Sequence, residues 1–232
     1  MKSMNKVSCI IPAFNEAGRI AQVLDAIIEH PLIDEIIVVD DKSTDQTKEV
    51  VRKYSTITLV EHGTNQGKSA AVYSGLIRAS GNIIFLLDAD LQGLTAHDIT
   101  LLIEPVLKNT KVVSMSMRKN SPWIDRVIGI DYLSGERVFS KTLLGDSLDL
   151  DIEKIRHLRG FELEVFLNRI IIAHQRPVQV IFWKNVVSPF KYKTYWGLQI
   201  RSDIYMTATI LQYLSIAEVL AQFFNLRRLM VK

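Results

Sequence analysis

Short apolar runs rich in β-branched residues alternate with longer stretches of helical periodicity through the first half of the chain. Short runs bounded by turn residues are typical of buried strands, and apolar residues spaced three and four apart are typical of amphipathic helices. The alternation predicts parallel strands joined by crossover helices. The predicted strands are residues 7–11, 35–39, 57–60, 82–87 and 111–115, and the predicted helices are residues 17–29, 44–54, 68–79 and 96–108. Ser43 or Thr44 is the predicted cap of the second helix.

After Arg118 this rhythm stops. Residues 119–122 have a loop-like composition, and a predicted turn at 134–137 comes before a helix at 160–174 and a strand at 178–183. A basic and aromatic segment, 191–196, precedes an apolar helix with one narrow polar stripe. The predicted fold class is α/β, doubly wound around a mostly parallel sheet, with a helical C-terminal appendage. We divide the chain into an α/β region at 1–118, a second part of the same domain at 119–190 and the appendage at 191–232.

The composition is that of a folded globular protein. Of the 232 residues, 48% are hydrophobic and 23% are charged, unlike the profile of a disordered chain. Cys9 is the single cysteine, so the sequence offers neither an intrachain disulfide nor a thiolate metal cluster. The brief polar start and the lack of about 18 uninterrupted apolar residues argue against a signal peptide and a membrane span. We expect a cytoplasmic protein.

The charge is distributed unevenly. The formal net charge of +3 gives little support for a nucleic-acid partner, but from Asp151 onward there are twelve Lys and Arg against six Asp and Glu. With segment 191–196 and the apolar helix after it, this basic excess suggests attachment to a membrane surface. The alternative, which we favour slightly, is that the helix packs on the α/β domain or on a second subunit, because Glu218 and Gln222 interrupt its apolar surface.

Four of the predicted strands end in polar or turn-forming residues. In an open parallel sheet the ligand crevice lies beyond the carboxyl ends of the strands, so these ends predict one site. The segments concerned are residues 12–16, 40–43, 61 with 65–68, and 88–90.

Asp88 and Asp90 follow the apolar run 83–87 and are two residues apart. A bend at the strand end would turn both carboxylates towards one point. Carboxylate oxygens suit Mg²⁺ or Mn²⁺, which keep open positions for phosphate oxygens. The alternative is that the pair caps the next helix or lies in solvent.

Lys68 follows Gly67 at the predicted start of a helix, where backbone amides and a cation can face phosphate oxygens. The spacing of a Walker loop is absent, and an ordinary solvated lysine is the alternative. Asp40 or Asp41 could accept a hydrogen bond from a base or a ribose hydroxyl, although Asp is also a common turn residue.

Taken together, four segments resemble the family 2 glycosyltransferases in order and spacing, most closely the dolichol-phosphate-mannose-synthase-like branch. They are residues 9–16 (CIIPAFNE), 38–45 (VVDDKSTD), 65–68 (NQGK) and 86–90 (LLDAD). The resemblance is strong over residues 6–118 and thinner to residue 183. It implies a GT-A fold in which 1–118 binds a nucleotide-sugar and 119–190 forms the acceptor side.

The resemblance also implies roles for single residues. Asp40 would meet the base, and Asp90 would contact the metal that bridges the diphosphate of the donor, with Asp88 beside it. The other residues implied at the nucleotide pocket are Pro12, Ala13, Glu16, Ser43 and Lys68.

On the acceptor side the likeness is thinner. Residues 134–137 (SGER) resemble a Ser-Gly-x-Arg element that carries Arg137, and residues 160–164 (GFELE) resemble an element that ends in an acidic residue, here Glu164. Glu164 could take a proton from an acceptor hydroxyl, which a phosphate acceptor would not require. The alternative for Glu164 is a surface or helix-capping charge. Many relatives carry a histidine after the last strand, and residues 185–189 (NVVSP) supply none, so a third metal ligand is unassigned.

The sequence therefore predicts a hexosyltransferase that uses a UDP- or GDP-sugar. Inversion by direct displacement is favoured, and retention at the anomeric carbon is the alternative. Its acceptor stays open, and a polyprenyl phosphate is among the candidates. The alternatives are nucleotidyl transfer to a sugar phosphate and a non-catalytic nucleotide-sugar-binding module. Residues 12–16 lack the glycine-rich basic loop typical of nucleotidyl transfer, and the Asp88–Asp90 pair argues against a silent module. A homo-oligomer is compatible with the pattern.

Overall fold

A seven-stranded sheet forms the centre of the computed structural model, which describes residues 5–145, 151–188 and 215–231. The strand order is β3-β2-β1-β4-β6-β5-β7, and every neighbouring pair is parallel except those that include β6. The strands are β1 (Val7–Ala13), β2 (Glu35–Asp40), β3 (Thr58–Glu61), β4 (Ile83–Leu86), β5 (Val113–Arg118), β6 (Arg137–Ser140) and β7 (Val178–Trp183).

The antiparallel strand β6 is the main departure from the expected sheet. The sequence predicted a turn at 134–137, whereas β6 begins at Arg137 and lies between β4 and β5. Its four residues are all buried, but its first is an arginine, a residue type that is almost never fully buried without a partner. Because β6 runs against its neighbours, its amino end lies at the carboxyl edge of β4 and β5.

Helices cover both faces of the sheet. They are α1 (Ile20–Ile27), α2 (Thr47–Val51), α3 (Lys68–Arg78), α4 (Ala96–Lys108), α5 (Trp123–Ile128), α6 (Asp151–Arg156), α7 (Glu162–Ala173) and α8 (Ile216–Leu229), with a 3₁₀ turn at Lys141–Leu144. The predicted cap of the second helix is wrong. α2 begins only at Thr47, and Asp45 accepts a hydrogen bond from the Thr47 amide at 3.0 Å. Ser43 belongs instead to the loop before the helix.

Alternate residues of the strands point into two separate cores, as the period of two in a strand requires. Ile10 of β1 and Ile37 of β2 face the core that includes residues of α3 and α7. Cys9 and Ile36 of the same strands face the core that includes residues of α1 and α4. Two buried cores on a mostly parallel sheet confirm the doubly wound fold.

Within the appendage the structure describes residues 215–231, where helix α8 has one buried and one exposed face. Phe223 of α8 stacks on Tyr132 with ring centroids 4.6 Å apart, and the Tyr132 hydroxyl donates to Gln222 Oε1 at 2.9 Å. Leu220 and Phe224 are exposed on the other side. No helix in the described parts of the chain is long and apolar enough to cross a membrane. The basic-aromatic segment 191–196 and residues 204–214 lie outside the described residues.

Candidate active site at the carboxyl edge of the sheet

The loops after β1 and β2 are fastened to each other at the edge of the sheet. The Asn15 amide donates to Ser43 Oγ at 2.9 Å, and Asn15 Oδ1 accepts from the Thr44 amide at 2.8 Å. Asn15 and Lys42 both adopt left-handed backbone conformations, with φ of 55° and 65°. Such conformations are uncommon outside glycine, so the hydrogen bonds between the loops must hold them. Ser43 therefore lies beside the loop after β1, and its role towards a nucleotide stays a prediction.

Three further predicted residues belong to the same edge. Pro12 and Ala13 are the last two residues of β1, and the Asp41 amide donates to the Ala13 carbonyl at 2.8 Å. Glu16 is buried, and its Oε2 accepts from Arg19 Nε at 2.7 Å. The Glu16 amide donates to Thr47 Oγ1 at 2.8 Å. The structure thus brings Pro12, Ala13 and Glu16 next to the loop that carries Asp40.

Asp40 is a buried carboxylate, and one of its two oxygens accepts a hydrogen bond within the protein. Its Oδ2 accepts from the Ser43 amide at 3.0 Å, whereas Oδ1 has no hydrogen-bond partner in the parts of the chain that the structure describes. Leaving a buried carboxylate oxygen without a donor costs free energy. A ligand N–H or O–H would remove that cost, so the geometry suits Asp40 as a hydrogen-bond acceptor for a ligand.

Asp41, the neighbour of Asp40, is occupied within the protein. Its Oδ1 accepts from His62 Nδ1 and from the Gln66 amide, both at 2.8 Å, and its Oδ2 accepts from the Gly67 amide at 2.7 Å. The sequence could not separate the two aspartates. These contacts favour Asp40 as the residue that faces a ligand and make Asp41 an anchor for the start of α3.

Lys68, the first residue of α3, lies between two carboxylates. Its Nζ is 2.9 Å from Asp88 Oδ1 and 3.0 Å from Glu164 Oε1. Burial lowers the pKa of the Lys68 ammonium, but the charges of Asp88 and Glu164 outweigh this effect and raise the pKa above its ordinary value. Lys68 therefore stays charged and joins the end of β4 to the start of α7.

Glu164 and Gly135 complete this contact between the two halves of the chain. Glu164 is buried in the first turn of α7, and its Oε2 has no hydrogen-bond partner among the described residues. A Cβ atom at Gly135 would lie 2.7 Å from Asp88 Oδ2 and 2.8 Å from Lys68 Nζ. The absence of a side chain at Gly135 thus lets the segment before β6 approach the Asp88–Lys68 pair.

Asp90 lies two residues beyond Asp88 and is more deeply buried. Its Oδ1 accepts from the Ser188 hydroxyl at 3.1 Å. Ser188 belongs to the segment in which the sequence offered no histidine. In the described part of the chain, no group of three or more His, Cys, Asp or Glu side chains is arranged to hold a metal ion. A metal at this place would therefore need ligand or water oxygens in addition to the aspartates.

A buried group of charges that the sequence did not predict lies beside the two aspartates. Arg118, the last residue of β5, reaches Glu136 Oε1 at 3.4 Å and Asp131 Oδ2 at 3.6 Å. Burial lowers the pKa of Arg118, but the carboxylates of Glu136 and Asp131, and more weakly those of Asp88 and Asp90, raise it overall. Burial also raises the pKa of Glu136. The sequence signals were only indirect: Arg118 stands where the α/β rhythm stops, and Glu136 lies within the element at 134–137.

Arg137 is fully buried at the start of β6. Its guanidinium donates to the Ser134 carbonyl at 2.8 Å, to Asn168 Oδ1 at 2.7 Å and to the Tyr132 carbonyl at 3.2 Å. Burial lowers the pKa of this group. These contacts join residues 132–134 to α7. The acceptor-side role of Arg137 stays a prediction, and its contacts within the protein indicate support of the loop that carries Gly135.

An α/β domain with this carboxylate edge has the architecture of a nucleotide-sugar-binding enzyme, and the comparison with known families agrees. Residues 8–161 match the model of glycosyl transferase family 2. This match covers more than half of the chain, so the chain belongs to glycosyl transferase family 2.

Curated relatives match over part of their length. The dolichyl-phosphate beta-glucosyltransferase ALG5A of Trichomonas vaginalis is 33% identical over 116 residues, which cover 44% of this chain and 35% of the relative. The 4,4'-diaponeurosporenoate glycosyltransferase of Staphylococcus aureus is 39% identical over 101 residues, which cover 42% of this chain and 27% of that protein. The chain thus spans about a third of the length of these relatives.

Solved structures confirm the fold. The glucosyl-3-phosphoglycerate synthase of Mycobacterium tuberculosis, in complex with Mn²⁺ and UDP-glucose, superposes with a TM-score of 0.68 at 21% sequence identity. The superposition covers 90% of this chain and 79% of the synthase. The predicted GT-A-like sheet with helices on both faces is therefore correct.

Proposed function

We propose that this chain transfers a hexose from a UDP- or GDP-sugar to an acceptor. One observation carries the proposal: Asp40, Lys68 and the Asp88–Asp90 pair lie at the same edge of the sheet. Within the described residues, one buried oxygen of Asp40 has no hydrogen-bond partner. This edge offers an acceptor for a base N–H and, beyond it, charged groups for a diphosphate. Residues 1–118 would bind the donor, and residues 119–190 would form the acceptor side.

A divalent cation, Mg²⁺ or Mn²⁺, fits the donor set. The aspartates offer carboxylate oxygens, the ligand type that both ions prefer, and the diphosphate and water would supply the rest. Asp90 would hold the ion with Asp88 beside it, and the ion would neutralise charge on the departing nucleoside diphosphate. The Mn²⁺ and UDP-glucose bound by the mycobacterial synthase make this pair the first donor mixture to test.

The protein groups on the acceptor side would orient the attacking group. Glu164 holds Lys68 through Oε1. Its Oε2, which has no partner among the residues that the structure describes, could accept the proton of an acceptor hydroxyl. With a phosphate acceptor, which is already ionised, Glu164 would serve to hold Lys68. Arg137 would keep the loop around Gly135 in place. Attack opposite the departing diphosphate would invert the anomeric carbon.

The acceptor that we favour is a polyprenyl phosphate. Its support comes from the dolichyl-phosphate glucosyltransferases among the relatives and from the exposed face of α8. Leu220 is 50% exposed and Phe224 is 66% exposed, and Arg227 and Arg228 follow within the same helix. Apolar side chains beside arginines match the interface of an anionic membrane. We therefore propose that the enzyme works in the cytoplasm, at the inner face of the membrane.

Product analysis tests the reaction class. The purified chain is incubated with Mn²⁺ or Mg²⁺, a panel of UDP- and GDP-hexoses, and either polyprenyl phosphate or 3-phosphoglycerate. Release of nucleoside diphosphate with a glycosylated product is expected. Pyrophosphate released from nucleoside triphosphates and sugar phosphates would indicate nucleotidyl transfer instead, and donor binding without turnover on any acceptor would indicate a binding module.

Vesicle flotation tests the membrane surface. The full chain should float with vesicles that contain phosphatidylglycerol at low salt, and the double variant Leu220→Gln/Phe224→Gln should lose this binding. Ile77→Gln is the matched control, because Ile77 is also exposed but lies on α3. Absence of lipid binding by the wild type, or a dimer that the double variant abolishes, would assign the α8 face to protein packing.

A further inference from the structure

His62 connects two segments of the carboxyl edge and was not among the residues that the sequence singled out. It follows β3, and its ring is largely buried. Nδ1 lies 2.8 Å from Asp41 Oδ1, and Nε2 lies 2.8 Å from the hydroxyl of Ser74 in α3. The imidazole therefore bridges the end of β2 and the middle of α3.

The chemistry of the partners defines the proton positions on this ring. An ionised carboxylate can only accept hydrogen bonds, so Nδ1 carries the proton that Asp41 accepts. In the neutral ring Nε2 then accepts from the Ser74 hydroxyl. Asp41 also accepts from the Gln66 and Gly67 amides, so one carboxylate holds both His62 and the start of α3.

This chain of hydrogen bonds includes the two amides just before the start of α3. Gly67 precedes the helix with a φ of 93°, a conformation that glycine adopts without strain, and Lys68 is the first helical residue. Lys68 in turn places its ammonium between Asp88 and Glu164. A shift of α3 relative to β2 would stretch the His62 bridge and move the ammonium at the same time.

We infer that His62 is a positioning residue for the transfer reaction, which acts through Asp41 and Ser74 to fix α3 and the ammonium of Lys68. The inference rests on the proposed function, in which Lys68 lies along the diphosphate. His62 itself bonds to Asp41 and Ser74 and not to the residues proposed to meet the donor. Its effect should therefore appear in kcat, through the misplaced charge, and much less in KM for the donor.

Two variants break the Ser74 end of the bridge and leave the Asp41 end in place. The side-chain amide of His62→Asn can replace the Nδ1 donor to Asp41 but cannot reach Ser74, and Ser74→Ala removes the second link alone. Each should lower kcat about tenfold, the effect of one lost hydrogen bond in a charged network, with KM for the nucleotide-sugar changed by less than about twofold. The control is His97→Asn, because His97 is exposed on α4; it should behave as wild type.

A double-mutant cycle tests the route through Lys68. In a Lys68→Met background, Ser74→Ala should lower kcat no further, because the ammonium that the bridge positions is gone. Additive losses would overturn this route. Losses that vanish when the assay is cooled well below the melting temperature of the variant would also overturn it, since they would reflect stability alone.

Two readouts do not depend on turnover. The ¹³C and ¹⁵N shifts of the imidazole should show the Nδ1-protonated tautomer of His62, and the Gln66 and Gly67 amides should exchange faster in Ser74→Ala than in wild type. The other tautomer, or unchanged exchange, would overturn the inference. If the wild-type chain showed no transfer activity, the proposed function would be wrong. That result can be told apart from a failure of the His62 inference, which the tautomer and the amide exchange test without turnover.

Discussion

The two sides of the carboxyl edge are held together in different ways. The segments after β1 and β2 are joined mainly by uncharged side chains, with Asn15, Ser43 and Thr47 bonded to backbone groups of the opposite segment. The charged contact between them is exposed: Asp45 Oδ2 accepts from the Ala17 amide at 3.1 Å. The segments that lead into and out of β6 depend on buried charges, with Arg118 beside Glu136 and Arg137 bonded to three acceptors.

This difference has energetic consequences. Neutral hydrogen bonds fix the shape of a loop at modest cost, whereas each buried charge has lost its hydration and depends on all of its partners. The first side should therefore tolerate the loss of one contact. The second side should respond strongly to any change in charge, because Arg118 also interacts with Asp88 and Asp90.

The largest effect is expected where the two sides meet, at Asp90. Asp90→Ala should reduce turnover by about 10³-fold, as expected for removing a group that stabilises departing charge, while the melting temperature changes little. Initial rates with the accepted donor and calorimetric melting measure both quantities. Wild-type rates for Asp90→Ala in the presence of a chelator would contradict the metal role.

Arg137 tests the claim that the second side depends on buried charge. Arg137→Met should lower the free energy of unfolding by about 3–5 kcal/mol, the range for buried charge networks that lose one partner. Urea denaturation measures the change. Arg126→Met provides the control, because Arg126 is exposed on the neighbouring helix α5. An equal loss in both variants would remove the proposed contrast between the two sides.

Asp40 tests the first side. Asp40→Ala should weaken binding of the correct nucleoside diphosphate by about 1–3 kcal/mol, because one hydrogen bond to a charged group is lost at a buried site. Titration calorimetry gives the dissociation constant, with Asp25→Ala as an exposed control on α1. An unchanged constant would make Asp40 an ordinary turn residue.

The smallest effect concerns the pH dependence of stability in the first half of the chain. His30 is buried, and its Nε2 lies 3.0 Å from the Ala96 carbonyl at the start of α4. Burial lowers the pKa of His30 more than the bond to Ala96 raises it. The unfolded chain therefore takes up the proton first as the pH falls. Stability from this group is present above the ordinary histidine pKa of 6.5 and is lost as the pH falls through the lower folded value.

Thermal melts between pH 7 and pH 5 measure this dependence. Wild type should lose more stability over this interval than His30→Gln, which cannot titrate. His97→Gln, at an exposed position, should retain the wild-type slope. Identical slopes for wild type and His30→Gln would exclude His30 as the source.

The sequence predicted the first half of the fold well because its signals are local. Strands β2 and β4 contain continuous apolar runs, residues 36–39 and 83–86, and the helix Ala96–Lys108 was predicted with the bounds that the structure has. The polar residues after each strand could be assigned to one edge by topology alone. Their roles towards a ligand stay predictions, although the structure favours Asp40 over Asp41 as the ligand-facing residue.

The second half was predicted less well because its contacts are distant in sequence. β6 has only four residues and begins with an arginine, so neither length nor polarity indicated a buried strand. The partners of Arg137 include Asn168 on α7, and those of Glu164 include Lys68 on α3. No local pattern contains such pairs. The hydrogen bonds of His62 were not predicted either, because Asp41 and Ser74 are also distant from it in sequence.

The position of β6 also has a consequence for the order in which the sheet can assemble during synthesis. Strands β1 to β4 are neighbours of one another and can pair as soon as they have left the ribosome. β5 follows them, yet its partners are β6 and β7, which are synthesised later. Until β6 has been synthesised, β5 cannot pair with the sheet. Its apolar residues then stay exposed to solvent, which favours aggregation. A nascent chain that pauses after β5 would thus hold a four-stranded sheet and one unpaired strand.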